Sequence, residues 1–255
     1  RIFKAPLANI GPPLIVVFFG VLIWNWIAQE GTSAIGTIRL TSTFIVIGIP
    51  LYFLIEMYYN SKSIRGASNT FAWASVLTER IFFPRGVDKR VLSLLGSIQS
   101  KKVLEFGCYL GALTKKLGKA VSSRGKVHSV CFTKSNTKIA TRRTRKHKQV
   151  TVKHHPHFHD VKIKVQKADV LVSTGALATM KNHDKVLSKL SKLVKKGGKV
   201  VFVDFEKYFF VLSNIPWFKT DKHLKKMFDK AGFKVNIHRR RGLFAQHIFV
   251  HGVRK

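Results

Sequence analysis

The sequence predicts an α/β domain with a mostly parallel sheet closed by an antiparallel hairpin, preceded by a pair of apolar helices. Three observations predict it. From Lys102 onward, apolar runs of strand length alternate with helical patterns. The last two runs, Phe233 to Ile237 and Ala245 to Val253, are separated by His238 to Gly242 and read as a terminal hairpin. Two long, almost uncharged runs fill the first 60 residues. The chain therefore divides into a transmembrane helical hairpin (1–60), an amphipathic interfacial linker (61–87) and the α/β domain (88–255).

In the first part, Leu14 to Ala28 carries no charge, and Trp24 and Trp26 near its end suit a membrane interface. The second run, Leu40 to Tyr59, has one charged residue, Glu56, placed in the last turn where a carboxylate reaches headgroup level. Gln29 to Arg39 is the expected connecting loop. A cleaved signal peptide is the competing reading, but no small-residue cleavage site follows the first run and a second run comes at once. Between 63 and 85, Phe71, Trp73, Val76, Leu77, Ile81, Phe82 and Phe83 are bordered by Lys62, Arg65, Arg80 and Arg85. That composition fits a helix lying in the interface or one packed on the α/β domain.

Lysine and arginine number 46 against 12 acids, a net charge of +34, and nearly all of it follows residue 60. Such a domain is drawn to anionic surfaces, lipid headgroups or nucleic acid. By the positive-inside rule the basic side is cytoplasmic, or its organellar equivalent, with the loop between the helices outside. Two cysteines, Cys108 and Cys131, give no disulfide framework, and a reducing compartment is the expectation.

The α/β part is organised around Lys102 to Leu117. Val103, Leu104 and Phe106 form a buried strand, Gly107 and Gly111 punctuate it, and Leu113, Leu117 and Val121 recur at helical spacing. Such a turn brings bare backbone N–H groups and a helix N-terminus toward a ligand, with Glu105 adding an acceptor. A second strand, Lys126 to Cys131, leads to a helix from Thr133 that ends in the basic run Thr141 to Lys148, and Gln149 to Lys153 fits a third strand. His154, His155, His157 and His159 then precede Asp160; alternate histidines share a face of an extended chain, so metal capture is conceivable, but no four-ligand spacing is present and no metal site is assigned. Ala168 to Ser173 is a fourth strand. Asp184 is the expected N-cap of a helix bearing Val186, Leu187, Leu190, Leu193 and Val194, which Lys195 to Gly198 ends. Lys199 to Asp204 is a fifth strand, Phe205 to Pro216 an aromatic linker, and Asp221 to Ala231 a last helix stopped by Gly232.

The pattern Glu105-x-Gly107-x-x-x-Gly111 resembles the first motif of the class I S-adenosylmethionine-dependent methyltransferases, whose Rossmann-like sheet also ends in an antiparallel hairpin. The likeness extends from about residue 88 to 255 and is nearest to the lipid and quinone methyltransferases. It implies S-adenosylmethionine as cofactor, held by Glu105, Gly107, Cys108, Tyr109 and Gly111. It further implies that Cys131 stands where an acid takes the ribose hydroxyls, that Asp169 matches the acid opening the fourth strand, and that Ser173 and Thr174 face the methyl group. Tyr109 replaces the motif's middle glycine, and a thiol at residue 131 cannot accept two hydroxyl bonds as a carboxylate does.

Two functions of different classes follow. One is a membrane-anchored methyltransferase acting on a lipid amine, a quinone or a neighbouring protein, with its catalytic residues unassigned. The other is a catalytically inactive, methyltransferase-like subunit of a membrane complex. A membrane-tethered nucleic-acid binder rests on charge alone.

Overall fold

The computed structural model describes residues 11–59, 76, 79, 84–156, 161, 163, 165–178, 180, 182–208, 212–215, 217–242 and 245–255. Two compact units divide the chain, Arg1–Asn60 and Ser61–Lys255.

The first unit holds α1 (Gly11–Glu30) and α2 (Thr32–Tyr59). No loop of the expected length separates them: residues 32–39 are helical, and the break is Gly31 alone, at φ 53°. Helical bonds run into and out of it, from the Gly31 N–H to the Ile27 carbonyl and from the Ile35 N–H to the Gly31 carbonyl. Side chains are described at 17–29, 31 and 34–48, and among the described residues no helix is long and apolar enough to cross a membrane. Many of these side chains are apolar and solvent-facing, up to 73% exposed at Trp24 and 70% at Val46.

In the second unit the first helix with a full described range is α3 (Arg85–Leu95). There follow β1 (Lys102–Phe106), α4 (Ala112–Ala120), β2 (Lys126–Cys131), α5 (Lys134–Thr144), β3 (Val150–His154), β4 (Ala168–Thr174) and α6 (His183–Lys192). The chain closes with β5 (Val194–Tyr208), β6 (Leu212–Ser213), α7 (Asp221–Lys230), β7 (Phe233–Arg241) and β8 (Ala245–Arg254). The strands lie in the order β3-β2-β1-β4-β5-β8-β7, with β6 paired to β5. β1 to β5 run parallel, while β8 is antiparallel to both of its neighbours.

Period-2 alternation assigns the faces of β1. Val103 packs with Val91, Leu95 and Leu117 on the α3 and α4 side, whereas Leu104 and Phe106 pack with Leu187, Leu190 and Phe228 on the α6 and α7 side. Glu105 shares the face of Val103, which aims an acid at α4. Because the chain passes from β1 outward to β2 and β3 and returns to β4 on the other side, the carboxyl ends of β1 and β4 form a topological switch point. Open α/β sheets place their ligand crevice there.

Several local expectations change. Asp184 lies in the first turn of α6, where it favours the helix dipole, and the cap position is Asn182. Val194 is not on that helix but opens β5, pairing with Ala168; a register shift then carries the Lys195 to Gly198 segment to renewed pairing at Lys199. The aromatic linker is partly strand, since β5 continues to Tyr208 and pairs with β6. The hairpin is longer than its hydrophobic pattern because His238 to Arg241 stay in register with β8. A buried acid accounts for part of this: Glu206 accepts both oxygens' worth of bonding from Arg239 Nε, at 3.0 and 2.9 Å, and Arg239 also reaches Asp221 on α7.

Candidate cofactor site

Register brings Phe106, Cys131 and Ser173 to the same edge of the sheet: Phe106 pairs with Val130 and with Ser173, one residue before Cys131 ends its strand. Glu105 lies just below this edge and is fully buried. Its Oε2 accepts from Thr114 Oγ1 of α4 at 2.6 Å and from Ser129 Oγ of β2 at 2.5 Å, while Oε1 has no partner among the described residues. Burial pushes its carboxyl up from the usual 4.5 to about 7, against the two hydroxyl bonds that pull it down.

The loop above Glu105 is fixed by backbone. The Val130 carbonyl accepts from the N–H groups of Gly107 and Cys108, at 2.9 and 3.0 Å, so these two amides are not the bare donors the sequence suggests. Gly107 has φ 93°, and a Cβ there would stand 2.8 Å from the Thr174 carbonyl and 3.0 Å from the Phe132 ring. Gly111, at φ 81°, caps α4 so close to α5 that a Cβ would meet the Ala140 Cβ at 2.7 Å. Both positions demand glycine for space as well as for conformation. Tyr109 also takes a left-handed conformation, φ 46°, where the motif's middle glycine would be.

Cys108 and Cys131 are disulfide-bonded, with Cα atoms 5.1 Å apart, which corrects the expectation of two unpaired thiols. Their separation of 23 residues gives no hint of this; the parallel pairing of β1 with β2 sets the two strand ends side by side. Ser173 ties β4 to β1, its hydroxyl donating to the Phe106 carbonyl at 2.8 Å, and the neighbouring Thr174 Oγ1 is buried with no partner among the described residues. Asp169 does not reach the site. It sits at the amino end of β4, where it accepts from the Lys102 N–H at 2.8 Å and pairs with Lys195 at 2.7 Å; these bonds hold its carboxyl below the usual range in spite of partial burial. That is a strand's length from the carboxyl edge, and its role is to fasten the start of β4 to β1.

Other residues of this edge carried no recognised sequence signal. Asp204, buried near the end of β5's apolar run, accepts from the Ala178 N–H at 2.9 Å and the Phe205 N–H at 2.8 Å, which clamps the loop after β4. Burial raises its carboxyl to about 7. An acid closing the run Val200 to Val203 was the available clue. Glu79, from the linker, is buried and pairs with Arg143 of α5 at 2.6 Å, and Arg143 also donates to the Leu110 carbonyl at 3.1 Å. At this point the linker packs on the α/β unit, and one residue of the basic run is engaged by an acid. Of the histidine cluster, His157 and His159 lie outside the described residues, and among the described residues no three ligating side chains come together. A cavity of about 270 Å³ opens instead at the amino ends of β1 and β2, lined by Lys102, Lys126, His128 and Lys153, on the edge away from the glycine loop.

The sequence matches a methyltransferase domain family over residues 79–238, more than half of the chain. The chain belongs to that family. No curated protein sequence matches it significantly. Among solved structures, the methyltransferase unit is similar to a magnesium protoporphyrin IX methyltransferase from Synechocystis (14% identity, 77% of this chain and 100% of that one, TM-score 0.62). An Aquifex aeolicus SAM-dependent methyltransferase gives 18% identity over 69% and 93%, TM-score 0.55. The phosphoethanolamine N-methyltransferase 2 of Haemonchus contortus gives 14% over 67% of this chain and 52% of its own, TM-score 0.56. At these identities the likeness is one of fold.

The residues fit the methionine end of S-adenosylmethionine better than its ribose. The orphaned Glu105 Oε1, the orphaned Thr174 Oγ1 and two glycines with no room for a side chain make a small polar cradle. At the ribose position the bridged Cys131 offers no carboxylate.

Proposed function

We propose that this methyltransferase uses S-adenosylmethionine, is held at a membrane by its first unit, and methylates an acceptor presented there: a lipid amine, a quinone or a neighbouring protein. The observation that carries the reading is the buried Glu105 carboxylate, with one oxygen unpaired, beneath a glycine loop at the switch point of the sheet. When bound, the cofactor supplies a methyl group on a sulfonium, already electrophilic, so the chain's work is mainly proximity. Glu105 offers Oε1 to a donor, Gly107 and Gly111 let the loop pack closely on Thr174 and on α5, and Asp204 fixes the loop that follows Thr174. Glu79 and Arg143 brace the loop from the linker side through the Leu110 carbonyl.

The membrane half is supported by the exposed apolar side chains of α1 and α2, more than a water-facing pair of helices ordinarily shows, and by the basic charge that follows them. Anionic headgroups are the proposed partners, along with other subunits of a membrane complex; nucleic acid has only the charge in its favour. With methyl-labelled S-adenosylmethionine and membranes, label is expected in the lipid, quinone or protein fraction, which identifies the acceptor class. The yield is expected to fall as salt rises, because screening shortens to about 8 Å at physiological ionic strength. Label in none of these fractions at low salt would contradict the reading.

Tyr109 and Cys131 favour a second reading, an inactive structural subunit of the same fold. Both stand where the cofactor would be contacted, and under this reading no fraction takes up label.

A further inference from the structure

Cys108 and Cys131 are the chain's only cysteines, and each stands at a point of cofactor handling, one inside the glycine loop and the other at the end of β2. We infer that they form a redox modification site, a dithiol–disulfide couple whose bridged form closes the glycine loop onto β2 and whose reduced form admits the cofactor. The inference rests on the cofactor reading given above.

Placement supports the couple. The Val130 carbonyl holds the Gly107 and Cys108 amides, which seats the loop on β2 and brings the two Cα atoms to 5.1 Å, inside the range a disulfide spans. Consequences for the site follow from what surrounds the bridge. Cys108 is 3% exposed and Cys131 1%, and both pack against Ala140 of α5. The Tyr109 carbonyl lies 3.8 and 3.9 Å from the two sulfurs, so the loop backbone covers the end of β2 where ribose hydroxyls would be received. A disulfide sulfur is also a poor acceptor for them. In the reduced form the covalent tie to Cys131 is gone, the loop is held to β2 by the Val130 carbonyl alone, and two thiols, each a weak donor and acceptor, replace the bridge.

The oxidant is a low-molecular-weight disulfide. The Cys108 thiolate, on the loop, attacks one of its sulfurs and expels a thiolate, leaving a mixed disulfide. The Cys131 thiolate then attacks the Cys108 sulfur and expels the second small thiolate. The two cysteines lose two electrons and two protons, which end on two small thiols; a small dithiol runs the sequence backwards.

The test equilibrates the whole chain with an excess of a small disulfide or of a small dithiol. Peptides are mapped by mass without reduction, and S-adenosylmethionine is titrated calorimetrically into each form. A Cys108–Cys131 linked peptide is expected in the oxidised sample alone, together with cofactor binding weaker by at least about tenfold than in the reduced sample. The Cys108→Ala, Cys131→Ala double variant, which has no thiol to oxidise, should bind with the same affinity under both treatments, whatever that affinity is. Absence of the linked peptide, or equal affinity of the two wild-type forms, overturns the gate and leaves the methyltransferase reading standing. Binding by neither form overturns both.

Discussion

Glu105→Gln is expected to remove a fall in stability of about 3 kcal/mol that the wild-type chain undergoes between pH 4.5 and 7. The folded carboxyl titrates near 7 and the unfolded one near 4.5, so in this window the native state binds the extra proton. Stability then falls as pH rises, by roughly 1.4 kcal/mol for each unit between the two values, and levels off above 7. The burial that causes this is complete, and the two hydroxyl bonds offset only part of it. Glutamine keeps an acceptor for Thr114 and Ser129 without a charge to bury. Asp204 titrates in the same window with the same sign and is present in both proteins, so the difference between the two profiles isolates Glu105. Urea unfolding of both proteins from pH 4 to 8 measures it; parallel profiles would mean that Glu105 is already solvated or paired in solution.

Cys131→Asp, compared with the reduced wild type, is expected to tighten S-adenosylmethionine binding by roughly tenfold or more. A carboxylate receives two hydroxyl bonds where a thiol receives weak ones, and each charge-assisted bond contributes about 1.5 to 3 kcal/mol. The substitution also removes the bridge to Cys108. Tyr109→Gly should add to the gain, because residue 109 already takes the left-handed conformation that glycine prefers, and loss of its side chain lets the backbone approach a ligand. In an inactive subunit the signs reverse. The introduced carboxylate would then be buried at a position now 1% exposed, with no ligand to meet it, and would lower the melting temperature without conferring binding.

Much of the α/β unit is legible in the sequence because its signals are local. Lys126 to Cys131 reads as a strand following the glycine turn and is β2 without a residue's change; Thr133 reads as the start of the next helix and caps it through the Asn136 N–H. What is not legible depends on which elements become neighbours. Asp169 opens a strand as the family pattern suggests, but only the β1–β4 pairing shows that its end of the strand faces away from the cofactor loop. The disulfide depends on two parallel strand ends meeting, and the Glu79–Arg143 pair joins residues 64 apart. The extension of β5 and β7 beyond their apolar patterns follows from the mutual pairing of β5, β8 and β7 and from the buried Glu206 that Arg239 and Gln246 satisfy. At the N-terminal helices, polar residues between 29 and 39 suggest a loop, yet Thr and Ser there are absorbed into α2 and a single glycine makes the break.

The central claim is that the glycine loop over Glu105 still receives S-adenosylmethionine, and calorimetric titration of the cofactor into the fully reduced wild-type chain tests it most directly. Saturable binding with a stoichiometry of one, lost in Gly107→Ala because a Cβ would press on the Thr174 carbonyl, is the predicted result. No binding by the reduced wild type would contradict it and leave the fold in a structural role.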